Sequence, residues 1–236
     1  GVKPLFYAHF DGGFLFGSEP KAILAHPDFP AEVDQEGLNE IFMIGPARTP
    51  GRGVFRNMAE LKPGYCLILD RNGKKMVQYW SLQSHPHTDD AETTASHIYH
   101  LLDDTVRRQL ISDVPVCTLL SGGLDSSALT ALTVRHFREQ GKVVDSYSID
   151  YRDNDKFFTA SDFTPNADSQ WIGKVSDFLQ TRHHCIEIDT PELAKALIEA
   201  VEAKDLPGMA DVDSSLLLFC REIKKDATVA ISGEAA

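Results

Sequence analysis

One short segment constrains this chain more than any other: Leu119-Leu120-Ser121-Gly122-Gly123-Leu124-Asp125-Ser126-Ser127. It follows an apolar run, Val114 to Leu120, that reads as a buried strand, and it leads into a helical run over 126–140. A strand that turns through glycines into a helix is the unit of doubly wound parallel sheets, whose ligands bind beyond the carboxyl ends of the strands. Two glycines let the backbone turn tightly and let an anion approach its N–H groups. The unpaired N–H groups of the following helix add partial positive charge. Ser121, Ser126 and Ser127 offer hydroxyl donors to phosphate oxygens. A carboxylate repels phosphate, so Asp125 makes sense there as a ligand of Mg²⁺ bridging to the phosphates. The plain alternative is a tight turn in which the aspartate and serines merely cap the helix. No Lys-Ser/Thr pair closes a Walker frame, and GxGxxG is absent, so neither of those phosphate loops is present.

The surrounding pattern divides in character. Residues 5–17 place two aromatic-rich runs around Asp11-Gly12-Gly13, a hairpin signal. Ser18 then reads as the cap of a short helix with Pro20 in its first turn, and Asp34 as the cap of a second over 34–44. Residues 64–80 form another hairpin turning at Asp70-Arg71-Asn72-Gly73. The reading to this point is α+β with antiparallel strands. His85, Pro86, His87, Asp89 and Asp90 mark a linker. Beyond it, helix 91–110 carries Ile98, Leu101, Leu102, Thr105 and Val106 at helical spacing. Strands at 114–120, 143–150, 185–188 and 228–232 alternate with helices at 126–140, 169–180, 190–204 and 213–225, and 151–168 reads as loop. Strands expected to be apolar on both faces predict a parallel sheet covered by helices on two sides.

Composition narrows the partners. Against 35 Asp and Glu stand 23 Lys and Arg, a net charge of −12, and no long basic run occurs. Such a surface repels phosphate backbones, so nucleic acid is not an expected partner. No apolar run approaches the ~20 residues that span a bilayer, so no membrane partner is expected either. Cys66, Cys117, Cys185 and Cys220 form no CxxC pair and lie in apolar stretches, which predicts buried free thiols and a cytoplasmic, reducing location. His183, His184 and Cys185 are adjacent, but neighbours on a strand face opposite sides and make a poor zinc site. Both termini read as internal to a longer protein.

Ser-Gly-Gly-x-Asp-Ser is the signature of ATP pyrophosphatases, which cleave ATP between the α and β phosphates. The segment from Ser112-Asp113-Val114-Pro115-Val116 through Ser127 resembles that loop in glutamine-dependent asparagine synthetases. Lys3 to Ala8, Ser18-Glu19-Pro20-Lys21-Ala22 and Leu61-Lys62-Pro63-Gly64 are similar to the end of the class II glutaminase domain of that family. Ile231-Ser232-Gly233-Glu234 is similar to a second synthetase motif, and Tyr151 to Lys156 resembles bacterial members. The resemblance implies an α/β chain: the antiparallel α+β end of an Ntn glutaminase domain over 1–85, then the first part of a parallel-sheet ATP-pyrophosphatase (adenine nucleotide α-hydrolase-like) domain over 86–236.

The resemblance also implies roles. Leu119, Leu120 and the main chain at Ser121 would contact the adenylate. Gly122, Gly123, Ser126 and Ser127 would cradle pyrophosphate, and Asp125 would hold Mg²⁺. Ile149 would pack near adenine, with plain core as its other reading. Ser232 and Gly233 would line the nucleotide pocket, and Glu234 would be the general base, or else a solvent-facing cap. The implied reaction is ATP-dependent amidation of aspartate through β-aspartyl-AMP, with ammonia taken from glutamine; a homodimer is the open expectation for assembly. Residue 1 is Gly and no cysteine precedes Cys66, so no glutaminase nucleophile is expected here, and this piece alone is expected to be inactive. Pro207-Gly208-Met209-Ala210 replaces a polar stretch that helps hold aspartate in some members. Two rivals remain: a β-lactam synthetase-like cyclase, and a module that binds ATP without turnover.

Overall fold

The computed structural model describes residues 3–11, 13–159 and 168–233. The chain divides into two compact units, 1–86 with 197–213, and 87–196 with 214–236.

In the first unit, β1 (Phe6–Phe10) and β2 (Gly13–Gly17) form the hairpin, in register from Phe6 against Gly17 to Phe10 against Gly13. A strand too short to announce itself, β3 (Met58–Glu60), adds to the other side of β1, giving the order β2-β1-β3. Alternation turns Phe6 and Ala8 inward, where they pack with Ile23, Phe29 and Met58. Helix α1 (Pro20–Leu24) begins at Pro20, so Glu19, not Ser18, occupies the cap position, and its side chain makes no capping bond. The fixed φ of proline at the first helical position starts this helix without a hydroxyl cap. Asp34 does cap α2 (Gln35–Asn39), accepting from the Gly37 N–H at 3.0 Å, and a π-helical turn over Glu40–Ile44 follows. Strands β4 (Tyr65–Asp70) and β5 (Gly73–Gln78) pair as a separate hairpin. Within this unit Lys21 binds the 197–213 segment: its N–H donates to Asp205 and its ammonium to the Ala203 carbonyl, both at 2.8 Å.

The second unit opens with α3 (Ala91–Gln109), capped by Asp90. Of its expected apolar stripe only Val106 is buried; Ile98, Leu101 and Leu102 are exposed. Then come β6 (Val116–Leu119), α4 (Leu124–Glu139), β7 (Asp145–Tyr151), α5 (Asn154–Phe157), α6 (Ser169–Leu179), β8 (Arg182–Ile188), α7 (Thr190–Lys204) and α8 (Ala210–Ile223), whose residues 197–213 belong to the first unit, and β9 (Val229–Ile231). The short α5 lies where a loop was expected. The four strands are parallel in the order β8-β7-β6-β9. Chain order therefore reverses between β6 and β9, the place where such sheets open a crevice.

The strands are not apolar on both faces. Cys117 and Tyr147 pack with Phe219, Ile223 and Ala227 of the α8 side. The opposite face carries Thr118, Ser146 and His183 in one cross-strand row. The Ser146 hydroxyl lies 2.9 Å from His183 Nδ1 and 2.8 Å from Thr181 Oγ1, and Ser148 lies 3.0 Å from His183 Nε2. Mutual hydrogen bonding is what makes these buried polar groups tolerable. The hydroxyls of Thr118, Thr130 and Thr133 are also buried, with no partner among the described residues. All four cysteines are free, but only Cys117 is buried; Cys66, Cys185 and Cys220 lie in apolar stretches yet are exposed. Among the described residues no helix is long and apolar enough to cross a membrane.

Candidate functional site

The carboxyl end of β6 delivers the glycine loop into that crevice. Leu119 is half-buried against the Cys117 cluster. Leu120 is fully buried, and its N–H extends the β6–β7 ladder to the Tyr147 carbonyl at 2.8 Å. The chain then breaks direction. Gly122 has φ +81°, a left-handed conformation that other residues resist. A β-carbon there would lie 3.0 Å from the Asp168 carbonyl and 3.2 Å from Trp171 Cβ, so the start of α6 presses on the turn.

Gly123 caps α4 without a capping side chain. The first intrahelical bond is Ser127 N–H to the Gly123 carbonyl, which leaves the N–H groups of Leu124, Asp125 and Ser126 ahead of the helical ladder. The serines divide the work. Ser126 is buried, accepts from the Ser121 N–H at 3.2 Å, and lies 3.0 Å from the Ser121 hydroxyl. It donates to the Gly123 carbonyl at 3.2 Å. Ser126 therefore braces the loop from within, a part that its position in the motif does not announce. Ser127, half-buried, donates to the same carbonyl at 2.6 Å. Ser121 is exposed.

Asp125 lies in the first turn of α4, exposed, and is not the cap. Its carboxylate takes part in no hydrogen bond or ion pair among the described residues. A free, hard oxygen donor of this kind suits Mg²⁺. Among the described residues no cluster of three His, Cys, Asp or Glu side chains forms a metal site of its own. The two histidines at the start of β8 are engaged elsewhere, His183 with the serines and His184 with Asp145 at 2.8 Å.

The second motif arrives from β9. A β-carbon on Gly233 would stand 3.2 Å from both Asp125 Cβ and the Ser126 nitrogen, so the two glycine-bearing segments touch. Ser232 beside it is exposed. Glu234 lies outside the described residues. Ile149 is half-buried, packed on the Cys117 and Tyr147 cluster. Beneath the site, burial pushes the Cys117 thiol up to about 11. Burial first, then the hydrogen bond to Asp226, pushes Tyr147 up to about 12. Neither group ionises near neutral pH. Sequence spacing does not signal the contact of Asp168 and Trp171 with Gly122, nor the hydrogen bond between the Tyr151 and Ser215 hydroxyls, because both depend on helix placement.

Residues 97–236 match the asparagine synthase family model. The chain belongs to the asparagine synthase family. Residues 1–80 match the model of a glutamine amidotransferase domain. Asparagine synthetase [glutamine-hydrolyzing] 3 of Bacillus subtilis is 54% identical over 237 residues, covering the whole of this chain and 39% of the relative. The glutamine-hydrolyzing asparagine synthetase of Cricetulus griseus is 27% identical over 99% of this chain and 40% of its own length. This family member thus spans about two fifths of those relatives. An NAD⁺ synthetase structure from Burkholderia pseudomallei overlaps 62% of this chain and 54% of its own, with a TM-score of 0.35 and 18% identity, too distant to bear on the fold.

Proposed function

We propose that this chain carries the ATP-binding half-site of a glutamine-dependent asparagine synthetase. In this reading residues 1–85 are the end of an Ntn glutaminase domain and residues 86–236 the first part of an ATP-pyrophosphatase domain. The observation that carries it is the meeting of Gly233 with Asp125 and Ser126, which brings two separate glycine motifs to the carboxyl end of one parallel sheet.

The chemistry follows from what the residues offer. A β-carboxylate oxygen of aspartate attacks the α-phosphorus of ATP, the Pα–O–Pβ bond breaks, and pyrophosphate leaves. The N–H groups at the start of α4 hold that leaving anion, and the Ser121 and Ser127 hydroxyls would have to turn from Ser126 and the Gly123 carbonyl to join them. Ser126 keeps the loop in shape from inside. Leu119, Ile149, Ser232 and Gly233 bound the nucleoside side, with Leu120 buried behind them. Asp125 would hold Mg²⁺, which supplies charge neutralisation at the phosphates. The nitrogen of ammonia, released from glutamine, then attacks the acyl carbon of β-aspartyl-AMP, the acyl C–O bond breaks, and AMP leaves. Glu234 takes the proton lost from the nitrogen, a general-base role that asks for a carboxylate poised near the working pH.

The test is aspartate-dependent ATP–pyrophosphate exchange by the intact polypeptide that carries this sequence, with ammonia absent. Exchange that requires aspartate supports the reading. Exchange with another acyl donor alone points to a cyclase of the β-lactam synthetase kind. Tight ATP binding without any exchange makes the site a non-catalytic module.

A further inference from the structure

We infer that Tyr151, held by Ser215, is a positioning residue forming the outer wall of the purine pocket; the inference rests on the nucleotide reading above. Strand β7 outruns β6. Leu119, the last residue of β6, is level with Tyr147, whereas β7 continues to Tyr151, paired there with Ile188 of β8. At ~3.3 Å per residue, about 13 Å of strand stands beyond the end of β6, beside the glycine loop.

Alternate residues of a strand share a face, so Tyr147, Ile149 and Tyr151 line one side of β7. Their exposure grows along that line. Tyr147 is buried, Ile149 half-buried, and Tyr151 is 42% exposed. Tyr151 stands one same-face step beyond Ile149, about 6.6 Å along the strand and comparable to the width of a purine. A base resting against Ile149, with its phosphates on the loop, would meet the Tyr151 ring next.

That ring is tethered. Its hydroxyl lies 2.7 Å from Ser215 Oγ, and Ser215 is 5% exposed. A half-open aromatic ring fixed by a buried hydroxyl is preorganised to receive a flat partner. The charged neighbours do not compete for this face. The Asp150 carboxylate accepts from the Tyr151 N–H and from Asn154, and Arg152 pairs with Glu187 and Asp189.

The experiment measures KM for ATP and kcat in aspartate-dependent exchange by the intact polypeptide. Tyr151→Ala is expected to raise KM for ATP about tenfold, the size of a lost base–aromatic contact, with kcat within about twofold. Tyr151→Phe keeps the ring and loses the tether, so KM rises about threefold. Ser215→Ala should match it, and the double variant should be no worse than either alone. Tyr151→Ala with an unchanged KM, while Asp125→Asn abolishes exchange, overturns the inference and leaves the nucleotide reading standing. A lowered melting temperature and kcat with KM unchanged in all three variants makes Tyr151 a brace only and also overturns it. Should Tyr151→Ala fail to fold, unequal KM effects of Tyr151→Phe and Ser215→Ala overturn the tether. A wild-type protein without exchange removes the nucleotide reading and this inference together.

Discussion

The antiparallel sheets of the first unit and the parallel sheet of the second use glycine differently. In the β4–β5 hairpin, Gly73 has φ +116° at a turn where an added β-carbon would meet nothing within 4 Å. It serves the turn and no more. At the end of β6, Gly122 combines φ +81° with contact to α6, and Gly233 brings a second segment against the same loop. Antiparallel hairpins scatter their strand ends, whereas parallel strands collect theirs on one side, together with the starts of helices. A concentration of unpaired N–H donors follows from that topology, and with it the place where an anion is held.

The largest effect is expected from Asp125→Asn in the intact polypeptide. Gly123 is the cap of α4, so the carboxylate is not needed to start the helix, and the melting temperature should stay as in the wild type. Exchange should fall by an amount typical of a lost transition-state electrostatic contact, ~2.7–4 kcal/mol in the barrier. A variant that melts normally and exchanges at the wild-type rate would remove Asp125 from the site.

Next comes the same substitution placed in both regions. Gly122→Ala should destabilise the fold by about 1–3 kcal/mol through backbone strain alone, with the Asp168 carbonyl adding to it, and should weaken ATP binding. Gly73→Ala should cost about 1–3 kcal/mol of stability through backbone strain as well, and leave ATP binding unchanged. Chemical denaturation with parallel nucleotide titration separates the two. Equal effects of both variants on ATP binding would break the contrast between the sheets.

Both hairpins could be read from the chain because their turn residues are local, and so could the Asp34 cap and the β6–loop–α4 unit. What escaped the reading depends on distant partners. The three residues of β3 exist as a strand only because β1 offers an edge. The apolar expectation for β7 and β8 fails because Ser146, Ser148 and His183 satisfy one another across strands. The stripe of Ile98, Leu101 and Leu102 has helical spacing, yet spacing says nothing of what covers it. In the loop, glycine positions announce the turn, but the buried place of Ser126 and the approach of Gly233 come from packing.

A smaller effect is expected from Asp34→Ala in the first unit. It removes the side-chain acceptor of the Gly37 N–H and should cost about 1 kcal/mol, as lost N-caps do. Exchange kinetics should not change, and a change in KM for ATP would tie α2 to nucleotide handling.

The smallest effect, absent at neutral pH, concerns the hydroxyl face of the parallel sheet. Burial first, and the neighbouring His184 second, hold the His183 imidazole below its usual range. Above about pH 6.5, the ordinary histidine value, His183 is neutral in folded and unfolded chains alike and adds no pH dependence. As pH falls below that value the unfolded chain binds a proton that the folded chain refuses, so stability drops. The drop is complete once pH passes the lower folded-state value. Denaturation of wild type and His183→Asn at matched pH values isolates this residue, because the other titrating groups are common to both. The variant is less stable at every pH if it loses the bonds to Ser146 and Ser148, so the informative quantity is the slope. The wild type should lose stability more steeply than the variant as pH falls below about 6.5. Parallel curves would mean that His183 gains its proton without opening the serine pair, and that the hydroxyl row accommodates a charged ring.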